Sequence, residues 1–354
     1  DWLNPIDINT AWLSSRVTGK KRHDELQRIK TGQAEVVIGT HALFQNEVEF
    51  KNLALIIIDE QHRFGVHQRL ALRDKGVNTN TSPHQLVMTA TPIPRTLSMS
   101  VYADLDVSVI DELPPGRKPV TTTIIPDERR DTVIVRVAEA CSAGRQVYWV
   151  CTLIEESEAL QCQAAEVTAQ ELNKLIPDVN IGLVHGRMNP VSKTAVMNDF
   201  KSGHLDLLVA TTVIEVGVDI PNASLMIIDN SERLGLAQLH QLRGRVGRGG
   251  EESHCVLIYK RPLSKHGKER LEVMRQSNDG FFIAEKDLQI RGPGELLGAR
   301  QSGNLQFRIA DLLRDQSMLP EVRDVSLEMM QTDRSSSNNL VKRWIRDPRR
   351  IAQA

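Results

Sequence analysis

Unbroken runs of Val, Ile and Leu, each followed by a polar stretch with helical spacing, constrain the fold of this chain most. "EVVIGT" (35–40), "LALIIIDE" (53–60), "HQLVMTAT" (84–91) and "VSVIDEL" (107–113) read as strands. So do "VTTTIIP" (120–126), "QVYWVCT" (146–152), "NIGLVHG" (180–186), "LDLLVATT" (205–212), "ASLMIIDN" (223–230) and "HCVLIYK" (254–260). A strand with one wet face alternates in polarity, whereas an unbroken apolar strand is buried on both faces. Helices between such strands are the crossovers that parallel pairing requires. Helical patterns fill 127–143, 155–175 and 190–202, the last stopped by Gly203. The chain therefore reads as α/β, with two lobes joined near the Pro/Gly punctuation "PPGRKP" (114–119). Beyond about residue 262 the strands stop. The tail reads as helix and loop, with a Ser/Asn-rich break at "DRSSSNN" (333–339) and a basic end, "VKRWIRDPRR" (341–350).

The chain has 354 residues, enough for two or three domains with sizeable cores. Its net charge of −1 means that any nucleic-acid site is a local patch of Lys and Arg, not a property of the whole. Four scattered cysteines without a CxxC pair argue for a reduced, cytosolic compartment and against a cysteine metal site. No apolar run reaches membrane-spanning length, so no membrane partner is expected.

Four stretches carry chemistry. Asp59 and Glu60 end an apolar strand, where an aspartate can hold Mg²⁺ through its water shell and a glutamate can orient or deprotonate water. In "TATPIPRT" (89–96) small hydroxyl residues precede two stiffening prolines, and threonines there can relay hydrogen bonds. In "QLHQLRGRVGRGG" (238–250) arginines interleave with glycines. Arginine suits bidentate phosphate recognition and the charge on a transferring phosphoryl group. In "ATTVIEVGVDIPNAS" (210–224) paired threonines can donate to phosphates, and an aspartate after a glycine turn can accept from a ribose hydroxyl. Taken singly, each string also reads as an ordinary strand and turn, and the arginine segment as an RNA-binding loop.

The order of the strings is more specific. "GTH" (39–41), "DEQH" (59–62), "TATP" (89–92), "VHGRM" (184–188), "ATTVIEVGVDIP" (210–221) and "QLRGRVGR" (241–248) resemble the later motifs of superfamily 2 helicases, in their proper sequence. "DEQHRFGVHQR" (59–69), "MTATPIPRTL" (88–97), "LIEESE" (153–158) and above all "KDLQIRGPGELLGARQSG" (286–303) resemble the RecG branch-migration helicases, from about residue 5 to 330. The translocase Mfd is the second resemblance, although "RGPGELLG" (291–298) is closer to the RecG form.

The resemblance implies two RecA-like lobes with parallel sheets, the first incomplete and lacking the P-loop strand, then a helical and loop-like coupling element. The implied boundaries are 1–115, 116–262 and 263–354. It implies ATP and Mg²⁺ as cofactors and branched or double-stranded DNA as partner. It also implies a monomeric motor in the bacterial cytoplasm, associated with the nucleoid, acting on stalled forks and Holliday junctions. Asp59 and Glu60 would be the Mg²⁺ and water residues. Arg245 and Arg248, with Gln241 beside them, would reach the γ-phosphate, and Gly217 and Asp219 would help close the nucleotide site. Thr40, His185, Gly186, Arg187 and Thr212 would track the DNA backbone. Gln61, His62, Thr89, Thr91, Arg270, Arg291 and Gln301 would couple the two activities.

The chain departs from the pattern: no G-x-x-x-x-G-K-[ST] string occurs, "TGKKR" (18–22) lacks both the upstream glycine and the following hydroxyl, and the junction-recognising wedge domain that the resemblance implies is not read either. The expectation is a C-terminal part of a RecG-like protein that neither binds ATP tightly nor hydrolyses it alone. A catalytically inactive DNA-binding module and an RNA helicase of the same superfamily are the other readings.

Overall fold

The computed structural model describes residues 2–60, 64, 71–76, 82–90, 106–152, 158–211, 220–291 and 314–344. The chain divides into two units, Asp1–Thr91 with Val325–Ala354, and Pro92–Asp324.

In the second unit a six-stranded, wholly parallel sheet forms from β5 (Thr121–Pro126), β6 (Gln146–Val150), β7 (Ile181–Val184), β8 (Leu207–Ala210), β9 (Ala223–Ile228) and β10 (His254–Tyr259), in the order β5-β10-β9-β6-β8-β7. All five residues of β6 and all four of β8 are buried, as unbroken apolar strands require. The pleat sorts them by parity. Val147 and Trp149 join Val133, Ile134 and Val137 of α2 (Arg130–Ser142) and Ala165, Ala169 and Leu172 of α3 (Glu158–Leu175) on one face. Tyr148 and Val150 join Phe200 of α4 (Pro190–Lys201), Leu236, Leu239 and Leu242 of α5 (Leu236–Arg243), Leu271 and Met274 of α6 (Lys265–Gln276) and Ile283 of α7 (Gly280–Arg291) on the other. Two of the buried polar side chains inside this core are paired. The Gln146 amide donates to the carbonyls of Phe200 and Leu205, and Trp149 Nε1 donates to Asp229 Oδ2 at 2.7 Å. Arg130 stacks over the Trp149 ring, 5.1 Å from its centroid, and stands 3.6 Å from Asp229.

Local signals set the helix ends. Asn189 caps α4 by accepting from the Ser192 N–H at 2.7 Å, Pro190 occupies the first turn, and Gly203 beyond the end has φ +81°. Ser264 caps α6 through the Gly267 N–H at 3.0 Å.

The first unit has two parallel pairs. β1 (Thr10–Leu13) lies beside β2 (Val36–Gly39) with α1 (Gly19–Thr31) as the crossover, and Ile29 of α1 packs on Ala11 and Leu13. β3 (Leu55–Ile58) lies beside β4 (His84–Val87) in the register Leu55↔His84 to Ile58↔Val87. Here burial on both faces is not found. Ile56 and Ile58 are buried, while Leu55 and Ile57 are more than half exposed, because no described element covers their face. Short β1 has no apolar run in the sequence and is absent from the expected strands.

The stretch 107–113 is a second correction: it is irregular, and Ile110 is 90 % exposed. Apolar content is not enough where no neighbouring strand takes the backbone hydrogen bonds. The following 114–119 stretch is also irregular, and Arg117 in it donates to the Gly244 carbonyl at 3.4 Å. Beyond 262 the described elements are all helical and include α8 (Leu319–Thr332) and α9 (Arg334–Trp344). Among the described residues no helix is long and apolar enough to cross a membrane.

Two outcomes follow from this packing. Phe200 is fully buried and meets the Tyr148 ring edge-on at 5.1 Å, so Phe200→Ala should lower unfolding free energy by about 3–5 kcal/mol in urea titrations. His240 of α5 has its pKa pushed down to about 4, first by burial and then by the adjacent Arg243 charge. As pH falls below about 6.5 the unfolded chain takes a proton that the folded chain refuses until pH 4, so stability drops across that window. The loss, on the order of 2–3 kcal/mol, should vanish in His240→Gln when unfolding is compared at pH 7 and pH 4.5.

Candidate functional site

Asp59, Glu60, Thr40, His185 and Thr89 stand at the carboxyl ends of parallel strands, where open α/β sheets bind ligands. In the first unit Asp59 and Glu60 directly follow β3. Glu60 takes the left-handed conformation (φ +54°), and its N–H donates to Asp59 Oδ1 at 2.8 Å. Holding a non-glycine residue there costs backbone energy, which turns the chain sharply at the strand tip and leaves Asp59 exposed. The Met88 N–H donates to the Ile58 carbonyl at 2.7 Å, so Thr89 leaves β4 beside the Asp59 turn. Two neighbouring carboxylates are hard oxygen ligands that fit Mg²⁺, an ion commonly held by one or two carboxylates and water. No cluster of three or more His, Cys, Asp or Glu suited to a metal exists among the described residues. Thr40 is exposed after β2, and its N–H donates to the Leu13 carbonyl at 3.2 Å. Gly39 before it is required by packing, because a Cβ there would run into that same carbonyl.

In the second unit β7 and β8 are neighbours, so His185 and Thr211 emerge side by side, linked by the Thr211 N–H to the Val184 carbonyl at 3.2 Å. Both are buried. His185 Nε2 stands 3.4 Å from Glu166 Oε1, while its Nδ1 and Thr211 Oγ1 have no hydrogen-bond partner among the described residues. Buried polar atoms rarely stay unsatisfied without a reason, and an absent ligand is one such reason. Arg187 is exposed beside them, and the Gly186 carbonyl accepts from Lys193 Nζ at 2.8 Å. A strand-end loop with buried polar atoms and an exposed guanidinium is suited to a phosphate backbone.

The arginine segment starts from α5. Gln241 and Arg245 are half-buried, and Arg248 is exposed, with Nε 3.4 Å from the Gly244 carbonyl. Arg270 and Arg291 come together from α6 and α7. Arg270 Nη2 donates to the Glu232 carbonyl at 2.6 Å, and Arg291 Nε donates to Asp287 Oδ1 at 3.0 Å. Asp287 is only 6 % exposed. Burial raises its pKa, while Arg291 and then the Leu236 N–H and Arg270 favour its charge. The tip of the Arg291 guanidinium lies against Gly235, the residue before α5. Gln61, His62, Thr91, Thr212, Gly217, Asp219 and Gln301 lie outside the described residues. Sequence reading passed over Glu166, Asp287 and Arg243. Arg243 and Asp287 stood within quoted motifs, but nothing in the strings separates Arg243 from Arg245 or marks Asp287 as buried.

Comparison with known proteins fits this layout. Three family models match in order: DEAD/DEAH box helicase over residues 2–100, helicase conserved C-terminal domain over 132–250, and ATP-dependent DNA helicase RecG, domain 3, C-terminal, over 277–348. The ATP-dependent DNA helicase RecG of Escherichia coli K12 is 62% identical over all of this chain, which covers 51% of that protein. The RecG of Bacillus subtilis is 46% identical over 92% of this chain and 47% of its own length. A solved structure described as RecG bound to a three-way DNA junction superposes with a TM-score of 0.66 at 43% identity, over 90% of this chain and 41% of that one. The chain thus spans about half the length of the curated relatives it matches. With parallel sheets, helicase motifs in order and a RecG-specific C-terminal match, the chain belongs to the RecG family of helicases.

Proposed function

We propose that this chain is the motor portion of an ATP-dependent DNA helicase that remodels branched DNA, such as stalled forks and Holliday junctions, in recombination and repair. The observation that carries the reading is the pair of unsatisfied buried atoms, His185 Nδ1 and Thr211 Oγ1, at adjacent strand ends beside exposed Arg187. The similar RecG structure, solved with a three-way DNA junction bound, supports the same substrate class.

In this reading Thr40, His185, Gly186, Arg187 and Thr212 follow the DNA backbone and give binding that depends on salt more than on base sequence. Asp59 and Glu60 hold Mg²⁺ and orient water; Mg²⁺, when bound, neutralises phosphate charge. Gln241, Arg245 and Arg248 stabilise charge on the γ-phosphoryl group, and Gly217 and Asp219 complete the nucleotide site. Gln61, His62, Thr89, Thr91, Arg270, Arg291 and Gln301 couple hydrolysis to DNA movement. We take the lobes as 1–115 and 116–262 and the coupling element as 263–354, in a monomeric, cytoplasmic protein associated with the nucleoid. The absence of a P-loop string favours a second statement: this chain by itself binds DNA without hydrolysing ATP.

The test compares ATP hydrolysis, with and without forked DNA, by this chain and by a fusion to the rest of the E. coli relative. Turnover should appear in the fusion alone, and Arg245→Ala should lower its kcat by about 10³-fold or more. Motor-rate turnover by the chain alone would refute the inactivity claim; turnover by neither would refute the motor reading. Fork binding by the chain alone should weaken steeply with salt, and Arg187→Ala should flatten the log–log slope by about 0.9. An unchanged slope would remove Arg187 from the DNA contact.

A further inference from the structure

Arg243 sits only two residues before Arg245, yet it does not face solvent or a ligand. It is the last residue of α5 and 3 % exposed. Its Nη1 donates to the Met274 carbonyl at 2.9 Å and to the Ser277 carbonyl at 2.8 Å, and lies 3.3 Å from Thr122 Oγ1 on β5. Met274 lies in the last turn of α6, and Ser277 is the residue that caps its end. Carbonyls at a helix end lack helical partners and form the negative end of the helix dipole, so a guanidinium supplies both donors and charge there. We propose that Arg243 is a positioning residue that locks the end of α5 to the end of α6 and thereby sets where Arg245 and Arg248 stand. The inference rests on reading those two arginines as phosphate ligands.

Two further observations and one general argument support the lock. The chain after Arg243 has little slack. The Gly244 carbonyl accepts from Arg117 Nη2 at 3.4 Å and Arg248 Nε at 3.4 Å, and Gly247 at φ +76° leaves only 2.9 Å between a Cβ and Val120 Cγ2. The other end of α5 is held by the same helical pair, because the Leu236 N–H donates to the Asp287 carboxylate on α7. Lastly, burying a charge is costly, and an apolar side chain of similar volume is often at least as stable in such a place. The proposed lock gives a buried guanidinium there a role in setting the register between elements. Helix α5 is thus clamped at both ends to α6 and α7, and a displacement of that hairpin carries the arginine segment with it.

Hydrogen–deuterium exchange on the chain itself tests the lock, using Arg243→Met, which keeps the apolar stem and removes the donors. Exchange should rise about tenfold in residues 244–249 and 275–280 together, with β6 and β8 unchanged. Arg243→Lys keeps a buried cation without the fork; it should give the same paired change at smaller size, and it carries the test if the methionine variant melts early. In the fusion, Arg243→Met should lower kcat by roughly 10- to 100-fold with KM for ATP within about twofold, as expected of misplaced ligands. Unchanged exchange, or a change in one segment only, overturns the lock. A raised KM with kcat intact overturns it too, since Arg243 would then bind nucleotide. If the fusion with Arg243 intact fails to hydrolyse ATP, the phosphate-ligand reading falls, and exchange still decides whether the two helix ends are joined.

Discussion

A parallel sheet must be covered on both faces, and the second unit is arranged by that demand. Its central strand β6 is buried along its length, so α2 and α3 close one face and α4 to α7 the other. With faces and core filled largely by apolar side chains, the sheet gathers much of its polar chemistry at its rim. His185, Thr211, Asp229 and Asn230 all stand where strands end. The polar groups there differ in what they have found. Asp229 is satisfied by Trp149 and Arg130 and belongs to the scaffold. His185 Nδ1 and Thr211 Oγ1 have no partner among the described residues.

The arginines of one short segment divide in the same way. Arg243 turns inward and gives its donors to helix ends, whereas Arg248 remains at the surface a short way along the chain. Reach and burial separate their roles, although their residue type is the same. His240 beside them is held neutral at ordinary pH, so positive charge in this region comes from guanidinium groups whose charge does not vary with pH.

Much of this was legible in the sequence. Unbroken runs such as "QVYWVCT" and "LDLLVATT" became fully buried strands, because only burial on two sides makes such composition favourable. Asn189-Pro190 and Gly203 marked the ends of α4 through capping and backbone freedom, which act locally. What failed depended on partners. "VSVIDEL" looked like its neighbours but found no described strand to pair with, and Leu55 and Ile57 looked like core but lie on a face that no described element covers. The site divided similarly. Motif order singled out His185, Arg245 and Asp59 as candidates, whereas Asp287 and Arg243 gain their contacts from carbonyl and amide groups 31 to 51 residues distant, which no local pattern displays.

The left-handed turn at Glu60 bears on how this protein could be improved in the laboratory. A glycine at that position would relieve the backbone and, by that measure alone, yield a sturdier fold. Selection for heat tolerance would therefore tend to find it. Under the role proposed for Glu60, selection for catalysis would reject it, because the same change deletes a carboxylate from the strand tip. On that proposal thermal robustness and chemistry compete at a single residue, and libraries screened for one should be expected to drift away from the other.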